Sequence, residues 1–434
     1  MSVPANLIKR IISDQLNEYI VPDIYIEREC QAKLISLASN PEIIVLTGIR
    51  RCGKSVLMNQ LRQHHDKSDY YFNFEDERLV DFTVHDFQTL QEVFIELFGI
   101  QKTYYFDEIQ NIPGWEMFIR RLYNAGYKIY ITGSNANLFS EELGTRLTGR
   151  YIPVTIYPLS FKEYLTYYEP TIVTSKLLST IQIGTLNKQL QDYFQDGGIP
   201  EFVKHQQMDY LHALYESILY RDIIARYKIS NTTAIKKLVF YLASNCSKEL
   251  TYNSLRKFLG LGSATTVSDY CHYLEGSFLC FFIHRYSDSV KVQQQSPKKI
   301  YFCDHILAKI VGFRISHDFG RMLENIVFLE LKRREYDVFY YNQTKECDFI
   351  VRKGSQTIQA IQVCANIDHP ETKKREIDGL IEALEYFSIT KGIIITEHES
   401  FSIQLEKEGR QYIIDAIPAA QWLIHNNQNI SIEK

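Results

Sequence analysis

An apolar, β-branched run at residues 41–47 predicts a buried strand, and apolar residues at helical spacing from Val56 predict a helix soon after it. A second apolar run, 102–106, ends in two adjacent carboxylates, Asp107 and Glu108, and a third, 128–133, ends in the small polar residues Ser134 and Asn135. Residues 160–240 read as mostly helical. Ser160 is the expected N-cap, Glu163 its capping-box partner, and Gly197 and Gly198 mark a break. Residues 251–275 read as helix, glycine turn, helix, and two strands follow near 278–286 and 298–304. The last third begins with an amphipathic helix at 321–333, burying Leu323, Ile326, Val327 and Leu331. Strands at 337–342, 346–351 and 356–364 come next. The expected fold class is α/β.

The chemistry concentrates between the first strand and its helix. Gly48, Ile49, Arg50, Arg51, Cys52, Gly53, Lys54 and Ser55 spell G-x-x-x-x-G-K-[ST], with Val56 next. Glycines let backbone N–H groups turn inward without a Cβ clash, and a helix N-terminus adds positive potential where phosphates sit. Lys54 is expected to reach the β- and γ-phosphates of ATP, and the Ser55 hydroxyl to ligate Mg²⁺. About fifty residues on, Asp107 falls where the magnesium shell needs an acid. Glu108 is placed to polarise an attacking water. Asn135, with Ser134 second, is the expected γ-phosphate sensor. Arg150, and less so Arg146, is the expected arginine finger, acting within the chain or on a neighbouring copy.

Composition narrows the picture without changing it. The 434 residues are 45% hydrophobic and 23% charged, as in globular cores, and the length suits about three domains. No window approaches the roughly 18 apolar residues of a membrane helix, and no secretory leader is apparent, so a cytoplasmic location is expected. Eight scattered cysteines without a CxxC pair point to reduced thiols. The net charge of −4 excludes a general polyanion binder. Within 248–299, however, seven basic residues (Lys248, Arg256, Lys257, Arg285, Lys291, Lys298, Lys299) face four acidic ones. If those elements form a winged helix, duplex DNA is a candidate partner. The second helix opens at 263–269 with no arginine or lysine, which equally suits a lid or docking module.

The phosphate loop, the run from Asp107 through Trp115 and Glu116, the segment 131–135 and the segment 147–152 together resemble a family of bacterial and archaeal AAA-type ATPases. Segments 157–164, 197–201 and 220–224 resemble it too, so the similarity runs along nearly the whole chain. The resemblance implies an AAA-type core over 1–160, a helical lid-like segment over 161–240 and a winged helix over 241–315. It implies a domain related to PD-(D/E)xK nucleases over 316–434. In that last domain Glu324 and Asp348 match the first two acidic positions. Gln362 stands where a second strand carboxylate belongs and Cys364 where the lysine belongs. Gln is a weak neutral ligand and Cys carries no fixed positive charge, so this site is expected to be degenerate, with Lys373 or Lys374 the only nearby replacements. The expected function is ATP hydrolysis that switches the later modules. A metal-dependent nuclease gated by ATP and a nucleotide switch binding a protein partner are the alternatives. An oligomer is compatible with all three.

Overall fold

The computed structural model describes residues 3–18, 26–64, 69–135, 147, 149–175, 177–313 and 319–425. The chain divides into two compact units, Met1–Pro158 with Gly276–Phe278, and Leu159–Glu275 with Leu279–Lys434. The helical segment, the middle module and the C-terminal α/β module thus belong to one unit, and the first boundary falls at Pro158.

In the first unit five strands form one parallel sheet: β1 (Ile43–Thr47), β2 (Tyr70–Asn73), β3 (Thr103–Asp107), β4 (Lys128–Gly133) and β5 (Tyr151–Thr155), in the order β2-β3-β4-β1-β5. β1 is buried at every position, as expected of a strand covered on both faces. β2 was not foreseen; only four residues long and led by two tyrosines, it gives little periodic signal. An aromatic core fills one face, with Phe72, Phe74, Phe82, Phe87, Phe94, Phe106 and Phe118 in mutual edge and stacked contacts. Because all five strands run the same way, their C-terminal ends share one edge, where ligands of open α/β sheets bind.

The second unit opens as read: Ser160 caps the helix Phe161–Tyr168 and exchanges hydrogen bonds with Glu163. The helix Thr180–Asp196 ends at Gly197, and Arg221 and Asp222 lie in a π-helical stretch, Ile218–Ala225. There follow helix Thr232–Ser244, β6 (Glu249–Leu250), helices Tyr252–Leu259 and Ala264–Gly276, β7 (Cys280–His284) and β8 (Lys298–Phe302). β6, β8 and β7 form a small antiparallel sheet. The last module is a six-stranded mixed sheet of β9 (Asp337–Asn342), β10 (Glu346–Lys353), β11 (Gln356–Val363), β12 (Lys391–Thr396), β13 (Phe401–Lys407) and β14 (Arg410–Pro418). Its order is β13-β14-β12-β11-β10-β9. Helix Phe319–Arg333 buries Leu323, Ile326, Val327 and Leu331 as expected. None of the described helices is long and apolar enough to cross a membrane.

Candidate nucleotide site

The loop leaves β1 at Thr47 and enters the helix Lys54–His64. Gly48 has φ +149°, and a Cβ there would meet the carbonyl oxygen of Ile156 at 2.1 Å, so no other residue fits. Arg51 and Gly53 also have positive φ, which turns the loop around a centre. The Lys54 ammonium lies buried within that turn and donates to the Gly48 and Ile49 carbonyls at 3.0 and 3.1 Å. Cys52 is fully buried, which fits a small residue filling space.

Arg28 holds the loop from outside, a role that no motif around it announces. Its guanidinium is buried and donates to the Cys52 carbonyl at 2.8 Å and to the Tyr157 carbonyl, tying the loop to the segment after β5. Hydrogen bonds to charged groups contribute about 1.5–3 kcal/mol. Arg28→Met is therefore expected to weaken MgATP binding by roughly tenfold or more, read by nucleotide titration with thermal unfolding as the control for folding.

Asp107 ends β3, one strand removed from β1, and is buried. It accepts from the Thr132 hydroxyl, and Tyr71 donates to it at 3.5 Å; the Ser55 hydroxyl is near enough to favour its charged form. Burial raises its pKa, opposed by the Thr132 and Ser55 hydrogen bonds and by the charge of Lys54. The two expected magnesium ligands thus lie on the same side of the site. A hydroxyl and a carboxylate are hard oxygen donors of the kind Mg²⁺ takes when it keeps most of its waters. The donor set fits that ion.

Glu108 follows with φ 51°, a left-handed conformation that costs energy outside glycine and clusters at functional positions. Its N–H donates to Thr132 Oγ1 at 3.0 Å, and Gln110 donates to its carboxylate. Burial pushes its pKa up, Lys54 pulls it down, and Asp107 and Glu75 push it up again. A carboxylate moved toward neutrality is a stronger base. Glu75, just past β2, is a further acid missed by the sequence reading; Arg50 pairs with it at 3.0 Å.

Asn135 and Ser134 lie buried at the end of β4, on the loop edge of the sheet, and the Ser134 hydroxyl has no hydrogen-bond partner. The side chain on that strand that reaches the acids is Thr132, two residues earlier. Arg150 lies elsewhere. Its carbonyl accepts from Ile43 N at 2.9 Å at the start of β1, and its guanidinium lies over the Tyr123 ring at 5.7 Å. That is the opposite edge of the sheet, roughly 13 Å along β1 from the loop at about 3.3 Å per residue. Arg146 lies outside the described residues.

The residues carried over to the C-terminal module do come together, with a different cation. Glu324, on the helix, and Asp348, on β10, both contact Lys299 from β8, at 3.2 and 2.8 Å. Gln362 accepts from Asp348 N at 3.2 Å and donates to Glu376. Cys364 donates to the Asn366 carbonyl, and burial pushes its thiol up to about 12, so it stays neutral. Lys373 stacks on Phe401 at 4.0 Å rather than entering the cluster. Among the described residues no group of His, Cys, Asp and Glu is arranged to hold a metal ion. Burial also removes part of the basic patch counted above. Lys298 and Lys299 are both buried, leaving five basic residues against four acidic.

The loop, the buried Asp107 at the end of β3 and the parallel sheet define the first unit as a phosphate-binding-loop α/β domain. Residues 40–165 match a family described as an AAA domain, 187–314 a domain of unknown function (DUF8612), and 319–422 a domain of unknown function (DUF4143). An uncharacterised protein of Methanocaldococcus jannaschii is 31% identical over 96% of this chain and 95% of its own. One of Haemophilus influenzae is 32% identical over 90% and 96%. The chain belongs to this family of AAA-domain proteins with a DUF4143 C-terminal domain. Among solved structures it is similar to the RuvB Holliday junction branch migration motor of Thermotoga maritima. That likeness has 14% identity and TM-score 0.30, over 60% of this chain and 90% of that one. A Drosophila ORC structure bound to AT-rich DNA and Cdc6 gives 12%, TM-score 0.22, and 70% and 93% coverage.

Proposed function

We propose that the chain hydrolyses ATP and uses the cycle to switch the conformation of its second unit. The observation that carries this reading is the Lys54 ammonium buried in the phosphate loop, with Asp107 held by Thr132 and Glu108 adjacent in a left-handed backbone conformation. The loop N–H groups and Lys54 bind the phosphates. Ser55 and Asp107 hold Mg²⁺, which supplies charge neutralisation on the phosphate oxygens. Glu108 takes the proton of the attacking water, and Thr132 fixes the orientation of both acids through Asp107 and the Glu108 N–H. Asn135 and Ser134 remain the sensor candidates; Arg150 has a role only toward a neighbouring copy.

Within the second unit, the order helix, β6, helix, helix, β7, β8 supports a winged helix. Its burial of Lys298 and Lys299 favours a docking or lid role over a strongly basic DNA surface. The test is ATP hydrolysis measured with and without duplex DNA, with Asp348→Ala assayed beside it for Mg²⁺-dependent cleavage. DNA-independent hydrolysis and no cleavage by either protein are expected. Stimulation by DNA turns the reading toward a DNA-associated motor, and cleavage lost in Asp348→Ala turns it toward a nuclease.

A further inference from the structure

Lys299 is a buried ammonium reaching from one module of the second unit into another. It extends from β8 and meets Glu346 Oε1 at 2.7 Å, Asp348 Oδ1 at 2.8 Å and Glu324 Oε1 at 3.2 Å, with only 3% of its side chain exposed. An ammonium has three donors; two go to Asp348 and Glu324, and Glu346 pairs with the same charge. Two of the acids each take one further donor. Tyr301, also on β8, donates to Glu324 Oε1 at 2.7 Å, and Val363 N donates to Asp348 Oδ2 at 3.0 Å.

We propose that Lys299 is the built-in cation of this acidic cluster, closing the DUF4143 module to divalent metals and fastening β8 to it. Glu324 and Asp348 are largely buried and require a cation, and Glu346 reaches it from an exposed position; a covalently attached cation at these distances excludes a metal, whose oxygen ligands must close to about 2.0–2.6 Å. Removing the ammonium leaves three carboxylates converging on one point. That arrangement binds Mg²⁺ or Mn²⁺ more tightly as its negative charge rises. The inference concerns the second unit and is independent of ATP hydrolysis in the first.

The experiment is Mn²⁺ binding to the full chain without nucleotide, followed by electron paramagnetic resonance. Wild type, Asp348→Asn, Lys299→Met and Lys299→Met/Asp348→Asn are compared. Wild type and Asp348→Asn are expected to leave the sextet of free Mn²⁺ equally intense. Lys299→Met should gain a site at least about tenfold tighter, lost again in the double variant. Lys299→Gln, which keeps a donor but not the charge, carries the comparison if Lys299→Met does not fold. Mn²⁺ bound by wild type and lost in Asp348→Asn overturns the proposal, as does a folded, charge-free variant that gains no site.

Discussion

Lys54→Ala is expected to lose MgATP binding by at least about a hundredfold while the domain stays folded. The lysine's ammonium is buried inside the loop, and its two observed bonds go to carbonyls of the loop itself, Gly48 and Ile49. Those carbonyls hold the ammonium on the path of the phosphates. Each charge-assisted bond from it to a phosphate oxygen contributes about 1.5–3 kcal/mol, so losing two of them accounts for the effect. Nucleotide titration reads the affinity, and circular dichroism with thermal unfolding separates a binding defect from a folding one. Wild-type affinity in a folded Lys54→Ala protein removes the nucleotide site from this loop.

Glu108→Gln is expected to bind MgATP as wild type does and to slow turnover about 10²–10⁴-fold, the usual contribution of a positioned general base. Gln keeps the size of Glu and can still pair with Gln110, so the loop geometry should survive; what disappears is the proton acceptor. Glu108 is raised by burial and lowered by Lys54, so its basicity depends on the same lysine that binds phosphate. Binding and chemistry are therefore electrostatically coupled, and the two substitutions should differ sharply: Lys54→Ala defective in affinity, Glu108→Gln in rate.

The local parts of this site were legible in the sequence because each is written within a few residues. The phosphate loop, the strand ending in Asp107 and Glu108, the β1, β3 and β4 strands and the Ser160–Glu163 capping box are such parts. What was not legible depends on which strands become neighbours. Thr132 reaches Asp107 only because β4 pairs with β3, and Arg28 reaches Cys52 across 24 positions of chain. Which chain Arg150 would serve is illegible for the same reason. Its Gly-Arg step before a strand resembles a finger, yet in a parallel sheet the residue before a strand lies at the edge away from the phosphates. Lys299 was invisible as a partner of Glu324 and Asp348, being 25 and 49 positions away and on an element read only as part of a wing.

Release of phosphate from γ-labelled ATP under single-turnover conditions, in wild type and Glu108→Gln at saturating MgATP, tests the central claim most directly. The account predicts Mg²⁺-dependent release by wild type and a stable bound ATP in Glu108→Gln. No release by wild type, or equal rates in the two proteins, contradicts it.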